Sequence, residues 1–289
     1  MACFAAFRIA VPAAVLWIAL WAGAASAAAP EAAPQRIVSL NLCADQLVVL
    51  LVERERIAAL SELADSPSLS YVADRVAGIP RTAGTAEEVL PLRPDLVMAG
   101  RYTAKPAVAL LRAKGVPVLL LDIPRDFAAI RDQVRRVAQA LGAEPRAEDL
   151  LAAMDRTLSE GAEGVDAGPR GRRPVAVTLQ AGGFTAGAGT LPDAVLDAAG
   201  LDNLATRSGL TGYGYLALET VVAGRPDLLI AETAMPDRPS LRQALLMHPA
   251  LARSGAVGRR VDIPPPLLSC GAPFTAEAVR LLRQAAAAP

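Results

Sequence analysis

Glu87–Ala99 reads EEVLPLRPDLVMA, and Glu219–Ala231 reads ETVVAGRPDLLIA. Seven of the thirteen positions are identical without a gap, Arg-Pro-Asp among them. One physical unit accounts for both copies. A short helix stops at the Arg-Pro-Asp turn, because proline cannot prolong it, and the chain then enters a buried strand. Thr85-Ala86-Glu87-Glu88 places a capping-box pattern at the head of the first copy. A unit used twice predicts two similar halves, and the gap between two domains is where small molecules bind.

Strands alternate with helices on either side of both copies, the pattern of an α/β architecture with mostly parallel sheets. Before the first copy, Arg36–Leu40 is β-rich, Asn41 is placed to cap a helix over Ala44–Val52, and Ile57–Leu60 is a strand candidate. Leu63–Gly84, with Pro67 and Pro80, is irregular. After Asp95–Ala99 come a helix over Pro106–Lys114, a strand over Val116–Asp122 and a helix over Phe127–Leu141. The second set starts at Pro174–Gln180 and runs through a Gly-rich loop, Gly182–Gly189. It continues with helices near Leu191–Ala199 and Ala217–Val222, a strand at Asp227–Ala231 and a helix near Leu241–Leu246. A strand near Arg260–Ile263 and a final helix from Phe274 complete it. Between the sets, Ala147–Gly161 is helical with a polar face, starting near Pro145, where proline suits a first turn. The expected parts are a signal peptide over 1–27, an N-terminal lobe over 28–143, a helical bridge over 144–172 and a C-terminal lobe over 173–289.

The chain has 289 residues, 53% hydrophobic, with 29 basic and 29 acidic side chains. Zero net charge argues against nucleic acid, which needs a basic face to neutralise phosphates. A single histidine, His248 beside Pro249, leaves no room for multi-imidazole zinc sites or multi-His catalysis, so no catalytic or metal-ligating set is assigned. At the N-terminus Arg8 precedes an apolar run from Ile9 to Gly23, and Ala25-Ser26-Ala27 follows as a small-x-small cleavage pattern. That run is short against the roughly 20 residues a membrane-spanning helix needs, so it reads as a signal for export to the periplasm. Trp17 and Trp21 leave with it, and Cys43 and Cys270 remain.

The opening RIVSLNLCADQLVVLL, the repeated E…RPDL segments, LLRAKGVPVLLLD, the central helix and GTLPDAVLDAAGLDNL follow one another in a familiar order. Together, over Arg36–Ala286, they resemble the class III periplasmic substrate-binding proteins of ABC importers for iron-siderophores, haem and cobalamin. The resemblance implies two Rossmann-like lobes with mostly parallel sheets, joined by a long helical bridge, with a cleft between them. It implies capture of a ferric chelate, haem or cobalamin, with no covalently bound cofactor and no catalysis. Delivery is to an ABC permease dimer with its ATPase subunits, by a monomeric protein. Family members dock through one surface glutamate per lobe. The matching residues are Glu87 and Glu219, where the helix dipole favours an exposed, ionised carboxylate.

In such a fold the cleft is lined by loops at the carboxyl ends of the strands. That nominates Asn41 and Cys43, Tyr71, Arg81, Arg101 and Tyr102 from the first half. From the second it nominates Phe184, Tyr213, Tyr215 and Cys270. Aromatic rings on loops suit a large flat or chelated ligand, and the arginines offer a fork to an anionic one. For Cys43 and Cys270 three readings stand open: thiols touching a soft metal centre, a disulfide between the lobes, or small buried residues. A secreted α/β hydrolase is the alternative function, without a Gly-x-Ser-x-Gly elbow to support it.

Overall fold

The computed structural model describes residues 32–161, 172–231, 251 and 257–287. The predicted signal segment, His248 and the helix near Leu241–Leu246 lie outside the described residues. Five parallel strands, β1 (Ile37–Ser39), β2 (Ile57–Ser61), β3 (Arg81–Thr82), β4 (Leu96–Gly100) and β5 (Val118–Leu121), form one sheet in the order β3-β2-β1-β4-β5. Four more, β6 (Val175–Leu179), β8 (Asp202–Asn203), β10 (Leu228–Ala231) and β11 (Arg259–Val261), form a second parallel sheet ordered β11-β10-β6-β8. Between them in sequence, β7 (Phe184–Ala186) and β9 (Tyr213–Tyr215) pair antiparallel as a separate ribbon. This corrects the reading of Gly182–Gly189 as loop throughout. The glycines at its ends hid a three-residue strand whose partner lies well downstream in the chain.

The helices are α1 (Leu42–Leu51), α2 (Ala86–Val89), α3 (Lys105–Ala113), α4 (Phe127–Leu141), α5 (Glu144–Ser159), α6 (Leu191–Ala198), α7 (Leu204–Arg207), α8 (Leu218–Gly224), α9 (Pro266–Ser269) and α10 (Thr275–Ala287). Strand alternation sorts the core. Ile37, Leu96 and Met98 face one way, into a large cluster that also holds Ile130, Leu151, Met154, Leu196 and Val279. Val38, Val97 and Ala99 face the other way, against Val108 and Leu111 of α3. In the second sheet Val175, Val177 and Leu229 pack with Leu204 and Val221 in the same manner.

The repeated unit is built the same way twice. The α2 copy ends with Arg93 at φ 46°, the α8 copy with Arg225 at φ 44°, both left-handed, and proline follows each. The strands that follow, β4 and β10, lie beside β1 and β6, the first strand of their respective sheets. The aspartate closes the unit. Asp95 accepts hydrogen bonds from the backbone N–H of Gln35 (2.6 Å) and Arg36 (2.9 Å), and Asp227 accepts one from Val175 (2.7 Å). The Arg-Pro-Asp identity is therefore a strand-docking device. The capping box is only half made: Thr85 Oγ1 accepts from the Glu88 N–H, but the Glu88 carboxylate turns to Thr82 Oγ1 (2.8 Å) and the Ala83 N–H (2.7 Å).

Helix α4 ends at Gly142, φ 62°, and α5 starts with Pro145 in its first turn. Ala147, Leu151 and Met154, spaced one turn apart, bury one stripe of α5. Arg131–Asp155 and Arg135–Glu148 pairs tie its outer side to α4. Arg283 of α10 donates to the carbonyls of Leu158, Glu160 and Ala198, linking the end of α5 to the second half.

Candidate functional site

The candidate site is organised around α1. Asn41, in extended conformation, caps it by accepting from the Cys43 N–H at 3.0 Å. The helix is buried on nearly all sides, its polar residues included. Asp45 has no exposed surface and takes hydrogen bonds from the backbone N–H (3.1 Å) and hydroxyl of Ser61, at the carboxyl end of β2. Burial pushes its carboxyl up to about 6, opposed by hydrogen bonds from Ser39 and Ser61 and by the charge of Arg81. Gln46 is equally buried. Its Oε1 accepts from the Tyr71 N–H at 2.7 Å, while its Nε2 has no partner.

Cys43 and Cys270 form a disulfide with their Cα atoms 5.3 Å apart, which settles the three open readings. An oxidised pair is not a pair of thiolate ligands. Tyr71, 40% exposed, stacks on Phe274 with ring centroids 4.2 Å apart. At Gly271 an added Cβ would stand 2.9 Å from Cβ and Cγ of the buried Pro124, so only glycine lets these segments touch.

The ribbon carries the other aromatic group. Its register sets Phe184 opposite Tyr215 and Ala186 opposite Tyr213, so the three rings share one face. Phe184 and Tyr213 are parallel with centroids 6.0 Å apart, and Tyr215 meets Phe184 edge-on at 5.3 Å. On the opposite face Thr185 is buried and donates to the Thr178 carbonyl of β6. An added Cβ at Gly214 would come within 2.7 Å of Leu210 Cδ1, so the ribbon lies close on its neighbour. Tyr213 and Tyr215 are exposed, as is Tyr102 beyond β4.

Both arginines nominated for an anion are engaged within the chain. Arg81 donates to the carbonyls of Ile79 and Val76 and pairs with Asp65 at 3.3 Å. Arg101 forks onto Asp122, and this bond, with the charges of Arg101 and Arg136, holds the Asp122 carboxyl below its usual range. Among the described residues no group of three or more His, Cys, Asp or Glu is arranged to hold a metal ion. Glu87 and Glu219 are exposed in the first turns of α2 and α8, and neither carboxylate has a partner among the described residues.

Three residues escaped the sequence reading. Asp45 and Gln46 were signalled by a polar pair inside the apolar run LCADQLVVLL. Ile123, exposed just beyond β5, was signalled by an isoleucine trapped between Asp122 and Pro124 at a strand end.

Two parallel sheets with their first strands docked alike, and a long helix between them in sequence, define the periplasmic-binding class of α/β proteins. The sequence profile described as Periplasmic binding protein matches residues 37–266, and the chain belongs to that family. A "Cobalamin-binding protein" of Halobacterium salinarum is 24% identical over 221 residues, covering 76% of this chain and 60% of that protein. The chain thus spans about three-fifths of the length of that relative. Among solved structures, the periplasmic haem-binding protein RhuT of Roseiflexus sp. RS-1 superposes with a TM-score of 0.72 and 26% identity, over 87% of this chain and 99% of that one. A periplasmic haem-binding protein of Pseudomonas aeruginosa gives 0.68 and 26%, over 88% and 92%.

Proposed function

We propose that this protein is the periplasmic substrate-binding component of an ABC importer. It captures a haem- or cobalamin-type metal chelate in a cleft between its N-terminal and C-terminal lobes. It then presents the chelate to a permease through Glu87 and Glu219. The observation that carries the reading is the doubled unit. Two copies of one helix–turn–strand element each present an exposed, unpartnered glutamate in a first helical turn, in a chain of this family. An importer needs a contact point on each lobe, and acidic groups there steer and orient a basic partner. The ligand class is supported by what the relatives are named for and by the exposed rings of Tyr71, Tyr102, Tyr213 and Tyr215, which offer flat faces to a macrocycle. Asn41 and Phe184 complete the proposed lining, and Ile123 adds an apolar edge. The hydrolase alternative draws no support from the family.

The test separates capture from docking. Haemin, cyanocobalamin and a set of ferric siderophores are titrated into the purified protein by absorbance. Haemin or cyanocobalamin is expected to bind with a Kd of about a micromolar or below. Glu87→Arg and Glu219→Arg are expected to leave that Kd within about twofold and to abolish uptake in cells, since a like charge facing a basic partner costs several kcal/mol. Uptake that survives both substitutions together refutes the docking assignment, and failure of both haemin and cyanocobalamin to bind refutes the ligand class.

A further inference from the structure

The five residues Cys270–Phe274 (CGAPF) touch the first half at three places, each in a segment that follows a different strand of the first sheet. Cys270 is bonded to Cys43, in the first turn of α1 after β1. Phe274 stacks on Tyr71, in the segment after β2. Gly271 lies against Pro124, after β5. All three contacts sit at the carboxyl ends of strands, the side on which α/β sheets bind ligands. Two of the three are van der Waals contacts. A stacked aromatic pair is worth only about 1 kcal/mol beyond its buried area. The third is a covalent bond between residues 227 apart in sequence.

We propose that the Cys43–Cys270 disulfide is a tether across the floor of the ligand site, holding the loops of both halves in their binding arrangement before ligand arrives. The inference rests on the reading that ligand is captured between the halves, and it adds how that capture is prepared. A ligand that must order a floor by itself loses affinity to the conformational entropy of the loops; a floor already fixed removes that loss. The gain appears chiefly as slow dissociation, because encounter rates within one interface vary little. Cys270 is 2% exposed while Cys43 is half-buried. Alanine at both positions therefore removes the bond without burying a new polar group.

The test uses the intact chain with non-cysteine spin labels on encoded residues at Lys114 and Ala223. Lys114 follows α3, Ala223 lies in α8, and both are exposed. Distance distributions between the labels are measured by pulsed dipolar spectroscopy. Three forms are compared: the oxidised chain, the Cys43→Ala/Cys270→Ala chain, and the native chain reduced with a phosphine. Dissociation of haemin and of cyanocobalamin is followed by stopped flow on the same samples. The oxidised chain is expected to give one narrow distribution, and both untethered forms a broader one with dissociation about tenfold faster. Where the double-alanine chain fails to fold, the reduced native chain, which keeps every side chain, decides. Unchanged widths in the untethered forms overturn the tether. Faster dissociation at unchanged width also overturns it, because the sulfurs then act by touching ligand. If neither probe binds the oxidised chain, the proposed function falls, while the distance distributions still support or overturn the tether.

Discussion

Asp45 is a carboxylate placed where a hydrocarbon would ordinarily be, and its substitution has a calculable consequence. It is fully buried in α1 and held by the Ser61 N–H and hydroxyl. Burial raises it from 3.8 to about 6 despite those bonds and despite Arg81. That displacement is equivalent to about 3 kcal/mol. Between about pH 4 and about pH 6 the folded chain keeps a proton that the unfolded chain has released, so stability falls as pH rises across that interval. The contribution of Asp45 is fully present below the unfolded value and is lost as pH passes through the folded one. Asp45→Asn supplies a neutral group of the same shape at every pH. Urea unfolding is then measured for both chains across that range, and the variant's free energy is compared with the parent's at each pH. At about pH 4 the two are expected to agree within about 0.5 kcal/mol. By about pH 8 the variant gains about 3 kcal/mol, the bonds from Ser39 and Ser61 and the charge of Arg81 being already contained in the folded value. Asp122, Glu148 and Glu277 are drawn below their ordinary range by bonds to arginine and oppose this trend in each chain. They cancel in the difference. A difference that stays flat across the range, or grows as pH falls, refutes the reasoning.

Two further substitutions test how the halves are assembled. Arg283→Met leaves the carbonyls of Leu158, Glu160 and Ala198 without their donor, and about 3 kcal/mol of unfolding free energy is expected to go with it; a loss below about 0.5 kcal/mol in urea melts argues against that junction. Asp95→Asn weakens the acceptor of two backbone N–H groups, and Asp227→Asn that of the Val175 N–H and of the Arg172 guanidinium, and each is expected to cost about 1–2 kcal/mol. Destabilisation by one of them alone shows that the two copies of the unit are not equivalent.

Elements with a local cause were legible in the sequence. The helix over Phe127–Leu141 was bounded by periodicity, and in the structure Asp126 caps it and Gly142 ends it. The start of α5 near Pro145 followed from proline's preference for a first turn. The doubled unit was legible because its turn must contain proline whatever surrounds it. What stayed hidden depends on partners distant in sequence. The β7–β9 ribbon pairs Phe184 with Tyr215 across two intervening helices and a strand, and three residues are too few to show alternation. The destination of Arg81, onto Val76, Ile79 and Asp65, could not be told from that of a solvated arginine. Pairing of Cys43 with Cys270 needed their separation in space, which spacing along a chain does not contain.

The composition of α1 also bears on why the proposed site is backed by buried polar side chains. In its first five residues, with the cap before them, Asn41 holds the helix start, Cys43 is bonded to Cys270, Asp45 holds Ser61 and Gln46 holds Tyr71. Its second half, from Leu47 to Leu51, is wholly apolar. Leucine at positions 45 and 46 would remove an ionised carboxyl and an amide with an unpartnered nitrogen from the interior, which by burial alone stabilises. It would also release the end of β2 and the backbone of Tyr71, since apolar contacts fix no direction. The buried polar atoms therefore exchange stability for position. They do so only at the end of α1 that meets the second half, which is the distribution expected if that end of the helix is the part of the protein whose geometry matters most.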